Sequence, residues 1–377
     1  MNISLLIPRS VLYPSMGFDI VDGIRAGIQI GGASAPTFDI RNIGVAAKDQ
    51  DVFSHCEQAL MNGADIVVAY INPSAAEYAH ALFEANDKFL LVLDSGMHFP
   101  PTKKLSHAFF ISLQGALCCR LTAKLAIDAG FKQSAFTCSF YDAGYRAPLA
   151  FSNAVNTNGG GISFNHITAL KRAEFTLQPL VDFLASTTDN AVLAAYSGDM
   201  AEDFYNSGGQ AGLFANNAVF ASPFMVEEVW LDKIPFPGGK TTACVTWARN
   251  LETPENHIFL QTLNKPGKAN IFSAIAWEAG LFLAAVILNE DKSIDEVWST
   301  ISFNSPRGKV KMNSETNYLE SPFYICQVTE DEGKSKLTIL KELTDFKEEA
   351  ALFYKDVVEF SDQVANSWHN AYPCLES

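Results

Sequence analysis

The alternation of apolar, strand-like runs with helical segments constrains the fold of this chain more than any other feature. The run Asp65-Ile-Val-Val-Ala-Tyr is followed by a helical segment from Ala75 to Ala85, and then by the run Phe89-Leu-Leu-Val-Leu. The same alternation fills the first 130 residues and starts again after Phe109-Phe-Ile-Ser. Strands that alternate with helices of this length are typical of βαβ units, so the sequence predicts an α/β fold with parallel sheets.

The length of the chain favours two lobes over one. A chain of 377 residues exceeds what a single core usually supports. The predicted lobes are residues 1–110 with 246–322, and residues 111–245 with 323–377. Extended segments at Ala108–Ser112, Thr242–Trp247 and Phe323–Val328 are predicted to cross between them. Three crossings between two similar lobes would make a hinge, with a central cleft between the lobes.

Several element boundaries are predicted from local patterns. Helices are expected to open at three capping boxes: Ser54-His-Cys-Glu57, Ser74-Ala-Ala-Glu77 and Asp199-Met-Ala-Glu202. A strand is expected over Ile40–Ala47. After Thr338 the chain becomes charged, and a helix is predicted from Thr344 to about Trp368 on the outside of the second lobe.

Composition and charge exclude some classes of protein. The net charge is −15 and only 18% of the residues are charged, so a phosphate backbone is an unsuitable partner and nucleic acid is not expected. The seven cysteines show no CxxC pair and no zinc spacing, which predicts free thiols and no metal. The N-terminus reads as a first strand without the features of a signal peptide.

One apolar run is long enough to suggest a membrane span. Ile271 to Leu288 is almost continuously apolar, but Glu278 lies in its middle, where it would cost a few kcal/mol in lipid. We therefore predict a buried helix and no membrane span in this chain.

Small polar residues follow two neighbouring strands, at Asn72-Pro-Ser74 and at Asp94-Ser-Gly96, and a helix is expected to begin after each. In open α/β sheets, ligands bind beyond the carboxyl ends of the strands, where free backbone N–H groups and helix dipoles favour them. The sequence contains no GxSxG, HExxH or GxGxxG motif, and Pro237-Gly-Gly-Lys-Thr241 lacks the first glycine of a Walker A loop. We therefore predict a ligand-binding edge without catalytic residues, metal or cofactor. An enzyme that uses the same cleft is a weaker alternative hypothesis.

Motifs spread over some 330 residues resemble the type I periplasmic binding proteins, in particular the leucine/isoleucine/valine-type receptors of ABC transporters. They are the loop Pro8-Arg-Ser-Val-Leu-Tyr-Pro before Gly23-Ile-Arg-Ala-Gly27, the run Gly63-Ala-Asp-Ile-Val-Val leading into Ser74, Phe89-Leu-Leu-Val-Leu-Asp-Ser-Gly, Phe109-Phe-Ile-Ser without the usual arginine, Tyr141-Asp-Ala-Gly-Tyr145 and Ser305-Pro-Arg-Gly-Lys-Val-Lys-Met.

This resemblance implies two Rossmann-like lobes that close around a small-molecule ligand by hinge rotation, without chemistry. It implies a small polar ligand, an amino acid or a related amine or amide, and an ABC-transporter permease as partner. It also implies a periplasmic location. The alternative is a cytoplasmic sensor of the same fold that signals to a partner protein, which the N-terminus and the free cysteines would favour.

The resemblance also implies ligand contacts in the first lobe. Ser74 corresponds to the position that holds a ligand carboxylate, although it also fits a helix cap. Ser95, Gly96 and Met97 correspond to a second ligand-binding loop, where the usual threonine is absent. Asp94 is a candidate partner for a ligand amine, and a turn residue in the structural alternative.

Five further candidate ligand contacts are aromatic or polar residues. Tyr13 and Tyr145 resemble aromatic residues of the cleft, although loop aromatics are also often packed in the core. Tyr196 and Ser197 end a strand of the second lobe. Glu227 lies near the position whose acid pairs with a ligand ammonium.

Overall fold

The computed structural model describes residues 1–45, 47–144 and 146–360. The chain divides into two compact units. Among the described residues, the first unit is Met1–Leu113 with Leu251–Pro322, and the second is Gln114–Asn250 with Phe323–Phe360. The predicted α/β class with parallel sheets in two lobes is confirmed.

The first segment of the first unit alternates strands and helices as predicted. Its elements are β1 (Ile3–Ile7), α1 (Met16–Ile30), β2 (Phe38–Asn42), α2 (Asp49–Met61), β3 (Ile66–Tyr70), α3 (Pro73–Asn86), β4 (Phe89–Asp94) and β5 (Ala108–Ser112). The five strands form a parallel sheet in the order β2-β1-β3-β4-β5. All five carboxyl ends therefore lie at the same edge.

The next segment, in the second unit, repeats this alternation. Its elements are α4 (Gly115–Asp128), β6 (Gln133–Cys138), α5 (Ala147–Thr157), β7 (Gly161–Ile167), α6 (Gln178–Ala185), β8 (Asn190–Ala195), α7 (Gly198–Gln210), α8 (Leu213–Asn216), β9 (Val219–Ala221), α9 (Glu228–Leu231) and β10 (Thr241–Val245).

The chain then completes both units. The first unit gains α10 (Pro254–Thr262), α11 (Ile271–Ile287), α12 (Ile294–Ser299) and a small antiparallel sheet of β11 (Ser302–Ser305), β12 (Gly308–Met312) and β13 (Leu319–Glu320). The second unit gains β14 (Phe323–Asp331), β15 (Lys334–Leu343) and α13 (Lys347–Phe360). Its sheet has the order β15-β14-β10-β9-β8-β6-β7, with β14 antiparallel to β10 and to β15.

Helix α11 is the apolar run that resembled a membrane span. Among the described residues, no helix combines the length and apolarity needed to cross a bilayer. α11 instead packs against α1 at a distance that only glycine permits: a Cβ on Gly27 would lie 2.1 Å from the Trp277 carbonyl oxygen, and one on Gly280 would lie 2.3 Å from the Ile24 carbonyl oxygen. The Gly23-to-Gly27 motif therefore has a packing role in the first unit.

The three predicted capping boxes are wrong as helix starts. α2 begins at Asp49, so Ser54 lies inside the helix, and its Oγ donates to the Gln50 carbonyl at 3.0 Å. α3 begins at Pro73, whose fixed φ suits the first helical position, so Ser74 lies in the first turn. α7 begins at Gly198, which places Asp199 inside its first turn.

Two other element predictions are also wrong, and one strand was not predicted. The strand expected over Ile40–Ala47 is β2, which ends at Asn42. No helix follows β4: residues 95–107 form a loop that leads directly into β5. β15 was not predicted, since the expected helix was placed only after it, from Thr344. The end of the predicted last helix, near Trp368, lies outside the described residues.

A buried arginine fixes α13 to the second unit. Arg120 of α4 is fully buried, and its Nε donates to Glu349 Oε2 at 2.8 Å while its Nη1 donates to Asp356 Oδ2 at 2.6 Å. Asn158 donates to the other oxygen of Glu349 at 2.8 Å. The last described helix thus packs on the second unit, as the sequence predicted for this part of the chain.

Candidate ligand-binding site

Polar residues lie at or just beyond the carboxyl ends of three neighbouring strands in the first unit. Asn72 follows β3, Asp94 ends β4 and Ser112 ends β5. Tyr70 pairs with Leu93 in the β3–β4 register, and Asp94 pairs with Ser112 in the β4–β5 register. The topology therefore brings these residues to one edge, as the sequence predicted for the first two strand ends.

Asp94 is buried there with one oxygen unsatisfied. Asp94 is only 3% exposed. Its Oδ1 accepts from the Ser112 hydroxyl at 2.8 Å and from the Gly96 N–H, whereas its Oδ2 has no hydrogen-bond partner among the described residues. Burial raises the pKa of Asp94 to about 7, against the opposing effects of Ser112, Gly96 and the Arg307 charge.

A fully buried ion pair supports this edge. Arg307 lies in the turn between β11 and β12, and both Arg307 and Glu278 of α11 are 0% exposed. The guanidinium donates to the two Glu278 oxygens at 2.9 and 2.6 Å, and its Nη1 donates to the Ser112 carbonyl at 2.8 Å. The role of Arg307 was not predicted, although its motif was recognised, because nothing local in the sequence links it to Glu278 or Ser112.

The loop after β4 is compact and buried. Ser95, Gly96, Met97 and His98 are all buried. Gly96 has a φ of 68°, in the left-handed region that favours glycine, and its N–H closes a turn onto Asp94. The Met97 N–H is 3.3 Å from the Ser95 hydroxyl oxygen. This geometry holds the Asp94 side chain in place.

Ser74 lies half-buried in the first turn of α3. Its hydroxyl donates to Asp49 Oδ1 at 3.4 Å, and Asp49 is the first residue of α2. Burial raises the pKa of Asp49 and this hydrogen bond opposes the shift. The N-cap of α3 is Asn72, whose Oδ1 has no partner among the described residues.

Aromatic rings cluster at the same edge. Tyr13 and Tyr70 both pack edge-on against Phe272, with ring centroids 4.8 and 5.8 Å apart. Tyr13 was predicted as an aromatic residue of the cleft from the family resemblance. Tyr70 and Phe272 were not predicted as part of this cluster, since the sequence indicates an apolar strand for Tyr70 and a buried helix for Phe272.

The carboxyl edge of the second unit holds a separate hydrogen-bonded group. Asp142 accepts from Ser139 Oγ at 2.5 Å and from Ser197 Oγ at 2.7 Å. Ser197 is the N-cap of α7, and all three residues are buried. The predicted contact Tyr145 lies outside the described residues. Its neighbour Arg146, which sequence analysis did not single out, is buried, and burial lowers the pKa of its guanidinium to about 10.

Tyr196 is enclosed by the second unit. Its hydroxyl lies 2.5 Å from Thr137 Oγ1, and its ring stacks on Phe204 with centroids 4.8 Å apart. Burial raises the pKa of Tyr196 well above its usual value. These contacts show a residue of the core, and its contact with a ligand stays a prediction.

Glu227 combines a structural contact with an unsatisfied atom. Its Oε2 accepts from the Val229 N–H at 3.1 Å and so caps α9. Its Oε1 is buried without a hydrogen-bond partner among the described residues. Burial raises the pKa of Glu227 to about 8, and the neighbouring Glu228 charge adds to the shift. Glu227 and Asp94 thus share one property: each is a buried carboxyl with one oxygen unsatisfied.

Comparison with known proteins identifies the class of protein that this fold and these edges define. The family model described as "Periplasmic binding protein" matches residues 2–334. The chain therefore belongs to the periplasmic binding protein family, in which proteins bind solutes and do not act as enzymes. A search of curated protein sequences found no significant match.

Solved structures agree with this fold at low sequence identity. A solute-binding protein of an ABC transporter from R. palustris, in complex with 4-hydroxybenzoate, has 18% identity and a TM-score of 0.74, covering 92% of this chain and 97% of its own. An ABC transporter substrate-binding protein from Sphaerobacter thermophilus has 15% identity and a TM-score of 0.77, with coverage of 92% and 98%. An ABC-type branched-chain amino acid transporter from Rhodopseudomonas palustris has 15% identity and a TM-score of 0.63, with coverage of 91% and 96%.

Proposed function

We propose that this protein is the solute-binding component of an ABC transporter and that it binds a small polar solute, an amino acid or a related amine or amide. The observation that carries the proposal is the set of buried polar groups at the carboxyl edges of the sheets in a chain of the periplasmic binding protein family. An unsatisfied buried carboxyl oxygen costs free energy that a ligand hydrogen bond would recover. Similar proteins are described with aromatic acids or as branched-chain amino acid transporters, which supports a small organic solute.

The proposed contacts in the first unit are Tyr13, Ser74, Asp94, Ser95, Gly96 and Met97. Those in the second unit are Tyr145, Tyr196, Ser197 and Glu227. A partner permease and a periplasmic location belong to the same proposal. The alternative, a sensor that signals in a reducing compartment, is supported by the six free cysteines of the described residues. Detection of the native protein in the periplasmic or the cytoplasmic fraction of its own cells separates the two.

A thermal-shift panel of amino acids, amides, amines and aromatic acids tests the function. A ligand at 100 times its Kd should stabilise the folded protein by about 2.7 kcal/mol. Ser74→Ala should weaken that ligand about three- to tenfold, because one hydrogen bond is lost, and Glu227→Gln should weaken it from the second unit. Ser106→Ala is the matched control, since Ser106 lies before β5 at the opposite edge and donates only to the exposed Glu84. A panel without any stabilising solute, or a bound solute that is chemically converted, would contradict the proposal.

A further inference from the structure

The carboxyl edge of the first unit presents hydrogen-bond acceptors and negative charge. We propose that the solute offers a cationic hydrogen-bond donor, an ammonium or guanidinium group, to this edge, and that Asp94 accepts it. The inference rests on the proposed function and goes further, because it states the charge of the group that the first unit recognises. It excludes solutes whose only charged groups are carboxylates.

The acceptors lie on adjacent strand ends. Asp94 Oδ2 and Asn72 Oδ1 are both buried without a partner among the described residues. β3 and β4 are neighbours in parallel register up to Tyr70 and Leu93, so the two acceptors follow paired positions. An amide can turn either its oxygen or its nitrogen toward a ligand, whereas a carboxylate only accepts. Asp94 therefore determines the charge preference, and Asn72 is able to assist it.

The charges around Asp94 leave it without a dedicated cation. Arg307 is the nearby guanidinium, and it forms two hydrogen bonds with Glu278 and a third with the Ser112 carbonyl. Ionised Asp94 together with this ion pair has a net charge of −1 in a buried region. A bound cation would compensate that charge, whereas a carboxylate would add to it.

A protein carboxylate lies next to the position at which an anion would be expected. The N-terminus of α3 favours negative charge, and Ser74 is the hydroxyl that the family resemblance assigns to a ligand carboxylate. In this protein the Ser74 hydroxyl donates to Asp49. An anionic group bound by Ser74 would therefore lie close to a second carboxylate, which disfavours it.

Recognition of a cation at Asp94 includes a proton transfer. Below the pKa of about 7 the free carboxyl carries a proton, and an ammonium ligand stabilises the ionised form. Binding then releases the Asp94 proton to solvent and leaves a carboxylate–ammonium pair. The groups that face Asp94 are Ser112 from β5 and Arg307 from the β11–β12 turn, with Glu278 of α11 behind Arg307, and His98 is the other titratable residue of the loop.

Two pairs of probes separate cation from anion at nearly constant shape. 4-Hydroxybenzylamine is compared with 4-hydroxybenzoate, and 1,5-diaminopentane with glutarate, by thermal shift and isothermal titration calorimetry on the whole chain. The amine of at least one pair should bind at least tenfold more tightly than its matched acid. Tighter binding of either acid than its amine would overturn the inference and leave the proposed function intact. Failure of all four probes would count against the inference, whereas a hit elsewhere in the wider solute panel would still support the proposed function.

The proton that binding releases gives an independent readout on the wild-type protein. At pH 6, titrations of the bound amine in two buffers of different ionisation enthalpy should show release of about 0.9 proton, and affinity should rise about tenfold between pH 6 and pH 8. Asp94→Asn should remove both effects and weaken the amine. Asp87→Asn is the control with the same change in charge, since Asp87 lies at the opposite edge with a side chain that is 93% exposed and a φ that asparagine tolerates. Absence of proton release in the wild type, or equal release in Asp94→Asn, would overturn the inference.

Discussion

Arg307 and Glu278 are charged residues inside the first unit, and each is tolerated there because the other is present. Both side chains are fully buried, and each supplies the other's compensation. A buried pair is often no more stabilising than apolar residues of the same volume, but removal of one partner leaves an uncompensated charge. The pair therefore holds Ser112, and through it Asp94, without leaving a buried charge unpaired. Only a variant that lacks one of the two partners would be destabilised by such a charge.

Arg307→Met should lower the free energy of unfolding by about 3–5 kcal/mol, because Glu278 is left buried without its partner. The double variant Arg307→Met with Glu278→Leu should recover part of this loss. Urea unfolding of the single and double variants measures both. The partly exposed pair of Lys124 and Asp128 provides the control, since Lys124→Met should cost less than about 1 kcal/mol. Strictly additive losses for Arg307 and Glu278 would show that the two residues are not coupled.

Residue-level prediction from sequence succeeded where a position in the chain determines a position in the fold. The placement of Asp94 at the carboxyl edge was predicted because it ends an apolar strand, and strand ends meet at one edge of a parallel sheet. Arg307 was not, because it is 29 residues from Glu278 and 195 from Ser112. Pairing over such separations is set by tertiary packing, for which a single sequence has no local signal.

At the level of helices and strands, prediction again succeeded where the local sequence carries a signal and failed where it does not. Buried strands were predicted from their apolar runs. β15 was missed because Lys334 and Lys336 lie on its exposed face while Ser335 and Leu337 alternate with them on the buried face. The overlooked signal is the tight turn before it, where Glu332 and Gly333 both have positive φ angles of 50° and 82°. Two such residues in succession are typical of a two-residue β-hairpin loop.

The contact between α1 and α11 depends on glycine. Gly27→Ala should lower the free energy of unfolding by about 3 kcal/mol or more, because the new Cβ meets a backbone oxygen that cannot move independently. Gly209→Ala is the matched control in α7: its Cβ would meet its nearest atoms at 3.5 Å, an ordinary contact. That variant should gain about 0.5–1 kcal/mol from helix propensity. Chemical denaturation measures both, and equal stability of the two variants would contradict the packing role.

At the scale of the whole molecule, the reactivity of the buried cysteines measures how often the folded protein opens. Six of them are fully buried and free. Burial raises the pKa of the Cys56 thiol to about 12 and those of Cys119, Cys138 and Cys244 well above their usual value. Neutral, enclosed thiols react slowly with electrophiles.

In the Cys374→Ser variant, which retains the six buried thiols, iodoacetamide should label native protein far more slowly than protein in guanidinium chloride. The reaction requires opening of the surrounding structure, so its rate follows the opening equilibrium. Mass spectrometry of peptides over time identifies each labelled cysteine. A thiol that reacts as fast in the native protein as in the denatured one would show that its surroundings open readily.

The glycine-dependent contact between α1 and α11 in the first unit also has a consequence for protein synthesis. The apolar face of α1 is complete once residue 30 has been made, but its partner α11 ends only at Ile287. At 5–20 residues per second, the ribosome needs roughly 10–50 s to bridge that interval. Throughout this time the face of α1 has no native partner, and the second unit's first segment is made in between. The nascent chain is therefore open to chaperones, or to aggregation, for most of its synthesis, and a truncated chain that ends before α11 would expose the same surface permanently.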